Sequence, residues 1–169
     1  MKSISNVISH TVDSIEHVAI CNHPRERERE KNKNKDALFC RLSLKKRLFI
    51  GNTSMDPQLS LLMANLSQVR NDHLVLDPFV GTGSILLACA QFGAQVLGSD
   101  IDYLMVHART KPSRKGQKKR KGESFKGNFQ QYQLESKLID VIVGDASNDP
   151  WSSNIAFDAI GTYCSTLLG

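Results

Sequence analysis

A run of turn-forming residues, Asp77-Pro78-Phe79-Val80-Gly81-Thr82-Gly83, separates the short apolar run His73-Leu74-Val75-Leu76 from the nearly all-apolar stretch Ser84 to Phe92. A strand that turns through glycines straight into a buried helix is the opening of an α/β unit, and it dictates most of what can follow. Gln95-Val96-Leu97-Gly98 then reads as a second strand, Tyr103 to Ala108 as a short helix and Phe125 to Glu135 as another. Val141-Ile142-Val143 and Ala156 to Ile160 read as strands three and four. Upstream, Asp56 and Pro57 form an N-cap and first helical position for a helix from Gln58 to about Gln68, with Leu59, Leu62, Met63 and Leu66 on its apolar face. This alternation predicts a mostly parallel sheet of the α/β class.

Asp77 and Asp100 lie 23 positions apart, close to the separation between a glycine loop and the carboxylate that grips a ribose hydroxyl. Two classes of nucleoside cofactor use this plan. A dinucleotide brings pyrophosphate, which a carboxylate at the loop entrance repels, and it favours a third glycine where this chain has Leu86. S-adenosylmethionine brings a cationic amine and a sulfonium instead, and Asp77 suits it. Gly81 and Gly83 as plain turn glycines, and Asp100 and Asp145 as caps of short helices, stay open alternatives.

The chain has room for one domain in its 169 residues. Its net charge of +5 is concentrated: Arg109 to Lys126 holds nine Lys or Arg against Glu123, a local +8, and the remainder nets −3. Such a segment points to a polyanion. Arg114, Lys115, Lys118, Lys119, Arg120 and Lys121 are its candidate RNA-phosphate contacts. Lys118 to Lys121 also reads as a nuclear localisation cluster, and a merely solvated loop is the plain alternative. With no aromatic between Arg109 and Glu123, base stacking is not expected from the loop itself. Lys45-Lys46-Arg47 reads as an extension of the positive surface or a solvent-facing turn. Residues 1 to about 36, with an Arg-Glu alternation and Lys31-Asn32-Lys33-Asn34-Lys35, read as a disordered low-complexity head.

No apolar stretch approaches the roughly 20 residues of a membrane span. Asp13 and Glu16 interrupt any secretory h-region, so an intracellular chain is expected, cytoplasmic unless Lys118 to Lys121 direct it to the nucleus. Cys21, Cys40, Cys89 and Cys164, spaced by 19, 49 and 75 positions, match neither a zinc site nor a compact disulfide framework and read as thiols.

Residues 45 to 160 resemble the catalytic domain of a class I S-adenosylmethionine-dependent methyltransferase, of the eukaryotic tRNA (guanine-10-N2)-methyltransferase family. The resemblance rests on Phe49-Ile50-Gly51-Asn52-Thr53-Ser54-Met55-Asp56, Asp77 through Gly83, Gly98 through Tyr103, Asn128 through Tyr132 and Asp145-Ala146-Ser147, in that order. It implies a Rossmann-like parallel sheet, cut short after the fourth strand, in residues 37–160. Asp77, Gly81 and Gly83 would line the methionine end of S-adenosyl-L-methionine, and Asp100 would accept from the ribose. Ile101 would pack on the adenine and Asp145 address its amine, while Thr53 and Ser54 would help hold the carboxylate end, unless they are ordinary turn residues. It implies tRNA as substrate and a small zinc-ribbon activator subunit as partner.

The pattern departs from the family after strand four. An Asp-Pro-Pro-Tyr loop, which would accept the target amine, is expected after Phe157-Asp158-Ala159-Ile160; Gly161-Thr162-Tyr163-Cys164 stands there, opening a divergent 161–169 tail. The family's RNA-binding THUMP region is not found either. The expectation is a chain holding the cofactor half and no catalytic residue, inactive alone. A non-enzymatic fragment that binds RNA or a protein partner through residues 109–126 is the competing reading, and a dinucleotide-dependent oxidoreductase fragment the third.

Overall fold

The computed structural model describes residue 38 and residues 40–51, 54–109, 122–148, 150–151 and 154–161. The expected disordered head, the tail beyond Gly161, Thr53 and the six candidate RNA-contacting cations all lie outside the described residues. The elements run α1 (Pro57–Leu66), β1 (Leu74–Asp77), α2 (Ser84–Gln91), β2 (Gln95–Asp100), α3 (Tyr103–Val106), α4 (Phe125–Gln131), a 3-10 turn (Glu135–Lys137), β3 (Leu138–Val143) and β4 (Ala159–Ile160). The four strands form one parallel sheet in the order β3-β2-β1-β4. The expected α/β class and parallel sheet are therefore what the chain forms.

The order has a mechanical consequence. The chain steps from β1 to β2 to β3 in one direction, then returns to the far side of β1 for β4, so the strand order reverses at β1. In open α/β sheets the crevice outside the carboxyl ends of the strands at such a reversal is where ligands settle. Every carboxylate singled out on β1 and β2 stands at that end.

The core forms where α2 covers β1 and β2, with α1 packed on α2. Ser84 through Ala90 are all buried, as the unbroken apolar run of α2 requires. Val75, Leu86, Leu87 and Val96 are closed to solvent. Burial pushes the Cys89 thiol up to about 12, with the Asp77 carboxylate adding to the effect. Cys40 is exposed. Because the thiolate is the nucleophile, iodoacetamide is expected to modify Cys40 in the folded chain and to reach Cys89 only in denaturant, as read by peptide mass mapping. Labelling of Cys89 at the Cys40 rate would mean that α2 does not seal onto the sheet.

Several boundaries and one helix face differ from the sequence expectation. The cap on α1 is as expected, with Asp56 Oδ1 accepting from the N–H groups of Gln58 and Leu59 at 2.9 and 3.4 Å. The buried side of α1, however, is Pro57, Ser60, Leu61 and Ala64, and Leu59 and Leu66 are exposed. The small Ser60 and Ala64 suit close approach to α2, and apolar residues on both sides left the period unable to choose between them. Helix α4 ends at Gln131, short of Glu135, where Gln133 adopts a positive φ of 60° and Leu134 N–H bonds back to the Phe129 carbonyl. Strand β3 starts at Leu138, earlier than expected, because it is an edge strand whose Asp140 interrupts the apolar run. Strand β4 is only Ala159–Ile160, paired with Val75 and Leu76, so Ala156 to Asp158 stay outside the strand.

Lys45-Lys46-Arg47 is corrected too. Arg47 is neither surface extension nor solvent-facing turn: it is 1% exposed. Its guanidinium donates to the Ser84 hydroxyl at 2.6 Å and to the Leu42 carbonyl at 3.4 Å.

Candidate cofactor site

At the carboxyl end of the sheet the chain leaves β1 through Asp77 and turns at once. Asp77 Oδ1 accepts from Phe79 N–H at 3.0 Å, which starts the turn, and Val80 N–H bonds to the Ser99 carbonyl of β2 at 2.9 Å. Gly81 and Gly83 both take positive φ, 51° and 78°, and Gly83 caps the start of α2 in the left-handed conformation. The loop is thus pinned to β2 before the helix begins.

Asp100 completes that pinning. Its Oδ2 accepts from Gly81 N–H at 2.8 Å and its Oδ1 from Asp102 N–H at 2.9 Å. The residue that caps the following helix is Asp102, whose carboxylate accepts from Leu104 and Met105. Asp100 is therefore not a helix cap. Each of its oxygens keeps a further lone pair, which is what a ribose diol needs. Asp145 stands two residues beyond β3, and Gly144 N–H bonds to the Asp100 carbonyl at 3.0 Å, tying that turn to the end of β2. The Ser147 backbone N–H, donating at 2.9 Å, and then the Ser147 side chain hold the Asp145 carboxyl below its usual range. Asp145 is open to solvent and ionised at neutral pH.

Ser54 reaches the same loop from the upstream segment. Its hydroxyl accepts from Gly51 N–H at 2.9 Å and shares a hydrogen with Thr82 Oγ1 at 2.7 Å. A Cβ on Gly51 would meet the Thr82 methyl at 3.0 Å and Met105 Cε at 3.3 Å, so this segment lies close against both the loop and α3. The structure thus brings Ser54, Asp77, Gly81, Gly83, Asp100 and Asp145 to one end of three adjacent strands. Ile101, at 71% exposed, projects from the same rim. Asp77 is 2% exposed and sits beneath the loop, while its charge reaches Cys89 on α2.

Sequence reasoning singled out Asn128 through Tyr132 as a motif but assigned its residues no role in holding this arrangement. Asn128 of α4 brackets Phe49, accepting from its N–H and donating to its carbonyl, both at 2.8 Å and buried. Gln131 repeats the pattern one turn on, accepting from Leu48 N–H and donating to the Lys46 carbonyl. Side-chain amides so complete the hydrogen bonding of an irregular backbone segment that belongs to neither helix nor strand. Asn128 and Gln131 at (i, i+3) were visible, but nothing marked their target. Asp158 is structural: its Oδ2 accepts from Leu74 N–H at 2.8 Å, at the start of β1 and the opposite end of the sheet from Asp77. Among the described residues, no three His, Cys, Asp or Glu are grouped to hold a metal, and no helix is long and apolar enough to cross a membrane.

The chain matches the RMKL-like methyltransferase domain family across residues 45–156. It is 54% identical over 121 residues to the tRNA (guanine(10)-N(2))-methyltransferase TRMT11 of Homo sapiens, which covers 71% of this chain and 26% of that protein. The Dictyostelium discoideum protein of the same name is 41% identical over 122 residues, covering 72% of this chain and 22% of its own length. Among solved structures, a putative S-adenosyl-L-methionine-dependent methyltransferase from Methanococcus maripaludis overlaps 89% of this chain and 57% of its own, at 17% identity and a TM-score of 0.47. The chain spans about a quarter of the length of the TRMT11 proteins it matches. Glycine loop, aspartates and capped helices all fall inside the matched stretch, and the chain belongs to the RMKL-like methyltransferase domain family.

Proposed function

We propose that this chain is the S-adenosyl-L-methionine-binding half of a tRNA guanine-N2-methyltransferase, and that by itself it binds the cofactor without transferring the methyl group. The observation that carries the first part is the seating of Asp100: it locks the glycine loop through Gly81 N–H and keeps acceptor capacity at the mouth of the crevice. When bound, the cofactor would supply an electrophilic methyl on sulfonium. The residues here bind and orient it. Asp100 would take the ribose hydroxyls, Ile101 would cover one face of the adenine, and Asp145, held ionised by Ser147, would accept from the adenine amine. The Ser54–Thr82 pair and the start of α2 would face the carboxylate end, where helix N–H groups favour an anion. The buried negative charge of Asp77 beneath the loop favours a cationic ligand over pyrophosphate.

The acceptor chemistry is a separate matter. Deprotonating or orienting a guanine amine needs an oxygen acceptor beside it. Asp158, the carboxylate of the Phe157–Ile160 run, accepts from Leu74 N–H at the opposite end of β1 from Asp77. TRMT11 proteins act on tRNA guanine by name, and the likeness to them supports tRNA as the eventual substrate. A small zinc-ribbon activator subunit is proposed as partner from the family resemblance of the sequence, and a cytoplasmic setting is proposed with Lys118 to Lys121 as the nuclear alternative.

The test is a thermal melt with and without S-adenosyl-L-methionine. A ligand at about 100 times its dissociation constant adds about 2.7 kcal/mol, several degrees in midpoint. The wild-type chain is expected to shift, Asp100→Ala to melt cooperatively without a shift, and radiolabelled methyl transfer to tRNA to stay at background. An unshifted wild-type melt would sink the cofactor reading, and robust methylation would sink the claim of inactivity.

A further inference from the structure

Helix α1 turns apolar side chains away from the core. Its buried residues are Pro57, Ser60, Leu61 and Ala64, whereas Leu59 and Leu66 are 42% and 58% exposed and Leu62 lies half-buried between them. At about 100° per residue, Leu59, Leu62, Met63 and Leu66 share one stripe about 100° wide, on the side away from the buried residues. Met63, at the edge of the stripe, also touches the core. An apolar stripe of that width ordinarily marks the core-facing side of a helix, and here the fold leaves it open.

Two features of the face say what fits it. No charged residue occurs from Pro57 to Val69 in a chain that is 23% charged, so the surface suits a neutral, apolar counterpart and gives an acidic or basic partner nothing to grip. The pattern also reads the same in both directions: about the midpoint between Leu62 and Met63, Leu59 is the counterpart of Leu66, and Leu62 of Met63. A second α1 laid antiparallel therefore sets Leu59 on the other copy's Leu66 at both ends, with Leu62 and Met63 at the axis, the self-matching contact of a two-fold pair. The flanking charges agree with that direction. Asp56 lies three residues before Leu59 and Arg70 four after Leu66, both exposed. Antiparallel copies bring each Asp56 toward the other copy's Arg70, whereas parallel copies bring Asp56 to Asp56.

We propose that the chain pairs with a second copy of itself through the Leu59, Leu62 and Leu66 face of α1, in antiparallel register. The contact is short, since a helix of 10 residues is about 15 Å long, and this sets the pair at the small end of specific interfaces and makes the dimer a reversible one. The pairing goes beyond the cofactor reading and does not depend on it, because none of these leucines is among the residues gathered at the carboxyl end of the sheet.

The test is sedimentation equilibrium of the full chain from micromolar to submillimolar concentration, alongside Leu62→Glu and Leu62→Lys. The wild type is expected to form a dimer. Each variant alone sets like charges across the axis and should dissociate at least about tenfold more readily, while an equimolar mixture of the two should regain a dimer with one copy of each. Both variants should melt cooperatively and respond to S-adenosyl-L-methionine as the wild type does, so a failure of the cofactor reading would leave the sedimentation result unchanged. A wild type that stays monomeric, or a Leu62→Glu variant that dimerises as the wild type does, would overturn the proposal. So would a mixture that stays monomeric, because its recovery requires position 62 of the two copies to meet. A monomeric wild type whose melting midpoint falls in Leu62→Glu would overturn it and assign the face to a segment of the same chain.

Discussion

Replacing Gly83 with alanine is expected to lower stability by about 2–5 kcal/mol and the melting midpoint by about ten degrees or more, where the same change at Gly81 costs about 1–2 kcal/mol. Both glycines hold positive φ, and an L side chain in that region costs energy whatever surrounds it. The positions differ in what a Cβ would meet. At Gly81 it would find only the Phe79 carbonyl, 4.0 Å away, whereas at Gly83 it would press into the Phe125 ring, with Cε1 at 2.8 Å. Phe125 cannot yield cheaply, because it is buried and stacks on Phe129 at 6.0 Å. The excess cost at Gly83 is therefore an overpacking cost, and it couples the glycine loop to α4.

The same pair separates folding from binding. Gly81→Ala should melt cooperatively a few degrees below wild type but lose part of its response to S-adenosyl-L-methionine, because a methyl group on the loop would stand in the space proposed for the ligand. Gly83→Ala should lose stability before any ligand is added. Equal melting points for the two variants would mean that Phe125 does not seat on Gly83 in solution.

Much of this arrangement was legible in the residues. The strand-loop-helix opening, the Asp56 cap and the parallel sheet follow from local signals: apolar period, turn residues and a capping carboxylate. The positions of Asp77 and Asp100 follow from the strands that end with them. Less visible was anything decided by a partner distant in sequence. Asn128 binds backbone 79 positions away, and nothing local marks an amide as a backbone clamp. The outward face of α1 was misread because leucines occur on both sides of the helix and only α2 selects between them.

Arg47 is the sharpest such case, and its substitution carries the second large effect. A cation in the run Lys45-Lys46-Arg47 reads as surface, but its burial drives the guanidinium pKa below its usual value, with the nearby Tyr132 opposing the shift. Two contributions act in opposite directions. The long side chain fills interior volume and its donors satisfy Ser84 Oγ and the Leu42 carbonyl; its charge is costly to hold out of water. Arg47→Ala removes both the volume and the donors, and is expected to cost about 3–5 kcal/mol. Arg47→Met keeps most of the stem volume and discards the charge, so the loss should be confined to about 1–2 kcal/mol for the orphaned acceptors. Urea midpoints at unchanged m-value measure the difference. If Arg47→Met proves as damaging as Arg47→Ala, the hydrogen bonds to Ser84 and Leu42, rather than packing, are what hold the upstream segment against the start of α2. That result would place the rigidity of the glycine loop on a single guanidinium donor, and Arg47→Lys, with its different reach and geometry, should then fail to restore it.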